Sequence, residues 1–137
     1  MISFANGQAM VSVHLGVSRE KAWEIVTDTH LWPRWGPSLT AVQCSDRFIH
    51  RNSYGRVKTI FGLWLPFTIT EFENLSFWSW RIGRITATGH RITAQGDGCC
   101  ELTFTMPWWA SPYLVVCALA LRRIERIAGQ RSQSSDQ

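Results

Sequence analysis

The sequence lacks most of the features that announce a function outright. Lysine is scarce: twelve of the fourteen cations are Arg, and no basic run exceeds the pair Arg122 and Arg123. The net charge of +4 therefore comes from scattered positions. A nucleic-acid partner is not expected, because such a footprint gathers its cations on one element. The four cysteines, Cys44, Cys99, Cys100 and Cys117, form no C-x-x-C pair, and no paired histidines stand at zinc spacing. Neighbours on a strand, Cys99 and Cys100 point to opposite faces, so they share neither a metal nor an easy disulfide. Buried free thiols in a reducing compartment, with no metal and no cofactor, are the expectation.

Long apolar runs are missing too. The longest, Trp108 to Leu121, has 14 residues and contains Ser111 and Pro112, short of the roughly 18 that a membrane span needs. Residues Met1 to Ala9 show neither the charged start nor the apolar centre of a signal peptide. A cytoplasmic protein with at most transient membrane contact is expected. No Ser/His/Asp order and no nucleotide-binding glycine loop is present, and Gly96-Asp97-Gly98 reads as a hairpin turn. Glu71 and Glu73 share a face, but Glu73 sits at a turn where solvent covers it.

Aromatic side chains are abundant. Eight Trp and seven Phe occur in 137 residues, and 45% of the chain is hydrophobic. One domain of this size folds without metals or disulfides. So many indoles imply either a core packed with rings or a cavity lined by them.

Period-two alternation from Met10 to Val17 marks a half-buried strand. Ser18 reads as an N-cap, followed by a short helix over Arg19 to Thr27 with Ala22, Trp23, Ile25 and Val26 at helical spacing. The stretch from Asp28 to Pro37 is an aromatic-rich hinge, with one further helical turn placed before Pro33. Six strands follow: Leu39–Cys44, Tyr54–Phe61, Trp64–Phe72, Ser76–Ile82, Thr86–Ala94 and Cys99–Met106. Their short, turn-rich links make neighbours antiparallel. Ser111-Pro112 opens a long helix, apolar all round in its first half, which Gly129 closes. The polar residues 130–137 read as a disordered tail after a domain spanning 1–129. The fold class is α+β: a seven-stranded curved antiparallel sheet wrapped around a long C-terminal helix, with two short helices after the first strand. That curl leaves a pocket between sheet and helix.

The segments VSREKAWEIVTDTHLWPRW, PFTITEFE, FWSWRI and ATGHRITAQGDG, in this order before the closing helix, resemble the START-like (SRPBCC) superfamily in its polyketide cyclase/dehydrase branch. The resemblance covers about residues 10 to 128. It implies a helix-grip fold with a deep apolar cavity for a hydrophobic small molecule. It also implies aromatases, cyclases and lipid carriers as relatives, and brings no catalytic signature that transfers residue by residue.

Strand parity selects the candidates. Cys100, Leu102, Phe104 and Met106 facing inward bring His90 and Ile92 inward as well. His90 is then either a proton carrier in the cavity or a core histidine satisfied by a carbonyl. Trp78 and Trp80 share a face that either lines the cavity or fills the core, and Arg81 faces outward with Phe77 and Ser79. Trp32 and Trp35 stand at the cavity mouth or form a lid. With Val57, Phe67, Ile69, Phe104 and Cys117 they complete the expected ligand-binding set. Val57, Thr59 and Phe61 are assigned inward, which leaves Tyr54 and Arg56 on the surface. With parity reversed, those two become a polarising pair for an enolising carbonyl.

The leading expectation is a protein that binds a hydrophobic or aromatic molecule, lipid or polyketide-like. The alternative is a polyketide cyclase, aromatase or dehydratase working through His90, Tyr54 or Arg56. A third reading docks the protein on a membrane through its arginines and Trp32/Trp35. Oligomeric state has no signature in the sequence.

Overall fold

The computed structural model describes residues 2–107 and 114–135, with 85–87, 114 and 131–135 described in backbone only. Eight strands and three helices follow the chain as β1 (Ile2–Ala5), β2 (Gln8–Leu15), α1 (Arg19–Thr27), α2 (Trp32–Trp35), β3 (Leu39–Cys44), β4 (Tyr54–Thr59), β5 (Trp64–Glu73), β6 (Phe77–Ile82), β7 (Ile85–Ala94), β8 (Cys100–Pro107) and α3 (Leu114–Ser135). The strands form one sheet in the order β1-β2-β8-β7-β6-β5-β4-β3. From β3 to β8 it is an antiparallel meander, and β2 then closes against β8 from Leu15↔Cys100 to Gln8↔Pro107. This is the helix-grip arrangement, an α+β fold in which α1, α2 and α3 sit on one face of a long sheet.

Eight strands replace the expected seven. The added β1 pairs with β2 through Ala5↔Gln8 across Asn6-Gly7, and both turn residues have positive φ, 53° and 73°. Asn-Gly is the residue pair that a two-residue hairpin turn of this hand prefers, so this hairpin has a local signature in the sequence. Two helical boundaries also differ. Pro33 lies inside α2 rather than after it, since the first turn of a helix requires no hydrogen bond from its nitrogen. Gly129 does not end α3, which continues to Ser135. One glycine costs a helix only about 1 kcal/mol, and no residue after it forbids the helical state. The expected start of that helix at Ser111-Pro112 lies outside the described residues.

The inner face is apolar by strict alternation. On β8, Cys100, Leu102, Phe104 and Met106 are buried between half-exposed neighbours. On β5, Phe67 and Ile69 do the same. Helix α3 covers this face with Cys117, Ala120, Leu121, Ile124, Ile127 and Ala128. Gly89 keeps the outer face of β7 flat. A Cβ there would stand 2.5 Å from Thr105 Oγ1 and 2.8 Å from the Phe77 ring, so only glycine lets Phe77 lie across the strand.

The joint between α1 and α2 is fixed by Asp28, which is fully buried. Its carboxylate accepts hydrogen bonds from the His30 backbone N–H at 3.0 Å, Arg47 Nε at 3.3 Å and Arg47 Nη2 at 3.1 Å. Thr29 N–H donates to the Arg47 carbonyl and Ile49 N–H to the Thr27 carbonyl. These bonds latch the β3–β4 loop to the end of α1, and so set where the indoles of α2 enter the core.

Candidate functional site

A column of rings occupies the space that the curl of the sheet encloses. Trp32 from α2 stacks on Trp78 from β6 with centroids 5.5 Å apart and planes at 11°. Trp78 stacks in turn on His90 from β7 at 3.8 Å and 17°. Edges close the sides: Phe67 and Trp80 against Trp32, Phe104 against His90 at 4.7 Å, and Trp35 against His90 and Phe104. Offset stacking and edge-to-face contact are the favoured geometries of such rings. The interior is therefore largely solid, a correction to the pocket expected from the curl and to the deep cavity that the resemblance implied.

At the end of the column the described residues leave a gap of about 50 Å³. Trp35, the following residues Gly36, Pro37, Ser38 and Leu39, the sheet residues Trp80, Ile82, Thr88, His90 and Phe104, and Val116, Cys117 and Ala120 of α3 surround it. A gap of that size has room for a few waters, whereas drug-sized ligands occupy pockets of roughly 300–1,000 Å³.

The polar groups of this wall are few and ordered. His90 Nδ1 lies 3.3 Å from the Trp78 carbonyl, 3.4 Å separate Nε2 from Thr88 Oγ1, and Trp80 Nε1 donates to that oxygen at 3.1 Å. A carbonyl only accepts, so Nδ1 carries the proton and Nε2 accepts from the Thr88 hydroxyl. Burial pushes the His90 pKa down to about 3, opposed only by the bond to the Trp78 carbonyl, and the ring is neutral across the physiological range. Burial also raises Cys117 to about 12 and Cys100 to about 11, which leaves both as inert thiols. Trp32 Nε1 donates to the Val26 carbonyl at 2.9 Å. Trp35 Nε1 and Trp78 Nε1 are buried without an acceptor among the described residues.

Of the residues expected from the sequence, Trp35, Trp80, His90, Phe104 and Cys117 meet at the gap. Trp32, Trp78, Phe67, Ile69 and Val57 lie deeper, at 0–1% exposure, and pack the column and its floor. Tyr54 is 74% exposed and the Arg56 guanidinium donates to Gln43 Oε1 on the outer face. Val57 faces inward, so the polarising pair that reversed parity would have made does not form. Trp32 and Trp35 are both buried and offer no surface to a membrane. Phe61, assigned inward, projects from the β4–β5 turn at 84% exposure, because the strand ends at Thr59. Ser79 is covered rather than open, with Thr70 Oγ1 at 3.3 Å from its hydroxyl. Thr88, Val116 and Ala120 were missed by sequence reading. Thr88 stands two before His90 on the same strand, and Val116 and Ala120 flank Cys117 at helical spacing.

An open antiparallel sheet gripping a terminal helix, with an aromatic site between them, defines the helix-grip class. The chain belongs to the polyketide cyclase/dehydrase and lipid transport family, whose profile matches residues 8–126. Among curated proteins no sequence match was found. Solved structures of the same shape include the Zhui aromatase/cyclase from Streptomyces, with a TM-score of 0.70 at 10% identity over 91% of this chain and 94% of that one. A protein from Thermobifida fusca superimposes at 0.69 with 15% identity, covering 90% and 94%. The di-domain aromatase/cyclase BexL gives 0.68 at 10% identity, covering 87% of this chain and 45% of that one. At these identities the likeness establishes the fold. Among the described residues no helix is long and apolar enough to cross a membrane.

Proposed function

We propose that the protein binds a small apolar or aromatic molecule carrying a hydrogen-bond acceptor, in the gap between sheet and α3. The carrying observation is Trp35 Nε1: a buried donor with no acceptor among the described residues, on a ring that borders the gap between sheet, α2 and α3. A buried N–H left unpaired costs about 1–3 kcal/mol, which a ligand carbonyl returns on binding. Because the gap is small, the ligand enters by moving rings or α3, and binding is induced fit. Family membership supports the ligand class.

The enzymatic reading, a cyclase or dehydratase, has weaker support from the same wall. A general base works best with a pKa near the operating pH, and a His90 held at about 3 is too weak to draw a proton from a β-ketone carbon. The described polar wall is thus suited to holding a carbonyl more than to moving its protons.

Fluorescence titration of the indoles with flat aromatic ketones, their hydrocarbon counterparts and fatty acids tests the reading. Saturable quenching by the ketones, abolished in Ala120→Leu with unchanged circular dichroism, is expected. A flat response to every compound overturns it.

A further inference from the structure

A second cleft lies on the same seam, one helical turn beyond the gap. Arg34 of α2 faces Arg123, Arg126, Ile127 and Gln130 of α3 around a volume of about 330 Å³. The α3 residues of the two sites form one stripe: Val116, Ala120, Arg123, Ile127 and Gln130 recur at spacings of four and three, which places them on one helix face. Trp35 and Arg34, adjacent on α2, likewise serve one site each. Ala120 and Arg123 are about 4.5 Å apart along the helix axis, so one molecule of modest length reaches both sites.

The charge of this cleft is unbalanced. Among the described residues no carboxylate lines it and no ion pair involves Arg34, Arg123 or Arg126. Glu125 of α3 falls on the opposite side of the helix from this stripe. Three cationic side chains line one space; Arg34 and Arg126 are exposed, but Arg123 is half-buried, so water screens it incompletely. Guanidinium forks match the paired oxygens of carboxylate and phosphate, whereas a neutral ligand leaves the imbalance in place.

We propose that the Arg34/Arg123/Arg126 cleft is an oxyanion site that takes the carboxylate or phosphate group of the ligand whose apolar part occupies the gap beside Trp35. This rests on the binding function proposed above and adds that the ligand is an anionic amphiphile.

The test compares octanoate, octyl phosphate and octanol, matched in chain length, together with acetate and inorganic phosphate as head groups without a tail. Isothermal titration gives affinities, and amide NMR shifts locate each compound. Octanoate and octyl phosphate are expected to bind at least tenfold tighter than octanol, with shifts at both Trp35 and Arg123. The double variant Arg34→Gln/Arg123→Gln should reduce both anions to the octanol level and leave octanol unchanged. Arg81→Gln, which removes the same kind of charge from the outer face, should alter nothing. A larger gain for octyl phosphate than for octanoate assigns the site to phosphate esters, and the reverse assigns it to carboxylates. Equal affinity for anions and octanol, or equal loss in Arg81→Gln, overturns the oxyanion site while leaving the apolar gap intact. Shifts at Arg123 from inorganic phosphate with no binding of any tailed compound overturn the apolar gap and keep the oxyanion site. No response to any compound overturns both.

Discussion

Lowering the pH should destabilise this protein through His90 alone by an amount that can be worked out beforehand. Folded His90 stays neutral down to about pH 3, because burial penalises its cation. In the unfolded chain the same imidazole titrates near 6.5. Between these values the unfolded state binds the extra proton, so stability rises with pH across the window and is lost as pH falls. The slope approaches about 1.4 kcal/mol per pH unit below 6.5, which amounts to about 2 kcal/mol between pH 7 and pH 5. His90→Gln removes the titration while keeping a donor for the Trp78 carbonyl and an acceptor for Thr88. Urea unfolding followed by Trp fluorescence at pH 7 and pH 5, in both proteins, isolates the effect. The exposed histidines contribute equally to each and cancel. Wild type should lose about 2 kcal/mol more than His90→Gln over that interval. Equal losses would show that His90 is solvated or charged in the folded protein, and the neutral-ring account of the site would fall with it.

Trp35→Phe keeps an aromatic side chain, though a smaller one, and deletes the unpaired donor, so affinity for an aromatic ketone should drop about five- to tenfold relative to its hydrocarbon counterpart; isothermal titration reads the difference. Gly89→Ala forces a methyl group into Phe77 and the Thr105 hydroxyl and should cost about 1–3 kcal/mol in chemical denaturation. Loss below 0.5 kcal/mol, a threshold set at roughly the scale of surface changes, would mean that the outer face yields easily. Asp28→Ala strips three donors of their acceptor, and about 2–4 kcal/mol of stability should go with it. Because Arg47 is 57% exposed and can turn to water, a value at the lower end is expected.

Local signals in the chain were enough for most elements. The Ser18 cap with its bond to the Lys21 N–H, the bounds of α1 and β3, and the inward set of β8 all follow from short-range pattern. The hairpin of β1 with β2 was equally legible in Asn6-Gly7. The termination of α3 was not, because Gly129 is a weak stop: one glycine costs a helix only about 1 kcal/mol.

The alternation of faces, the chain order from β2 to α3 and the richness in rings that must go inside are legible locally, because they depend on neighbours within a few residues. Whether those rings enclose a cavity or fill it is settled by long-range packing. That outcome depends on the angle at which α2, held by the Asp28–Arg47 latch, inserts Trp32 onto Trp78, a contact across 46 residues. Long-range packing likewise brings Arg123 and Arg126 of α3 to the cleft that Arg34 of α2 borders. Charges and rings so far apart along the chain acquire a common site only when the backbone between them has folded, since no local preference fixes distances of that kind.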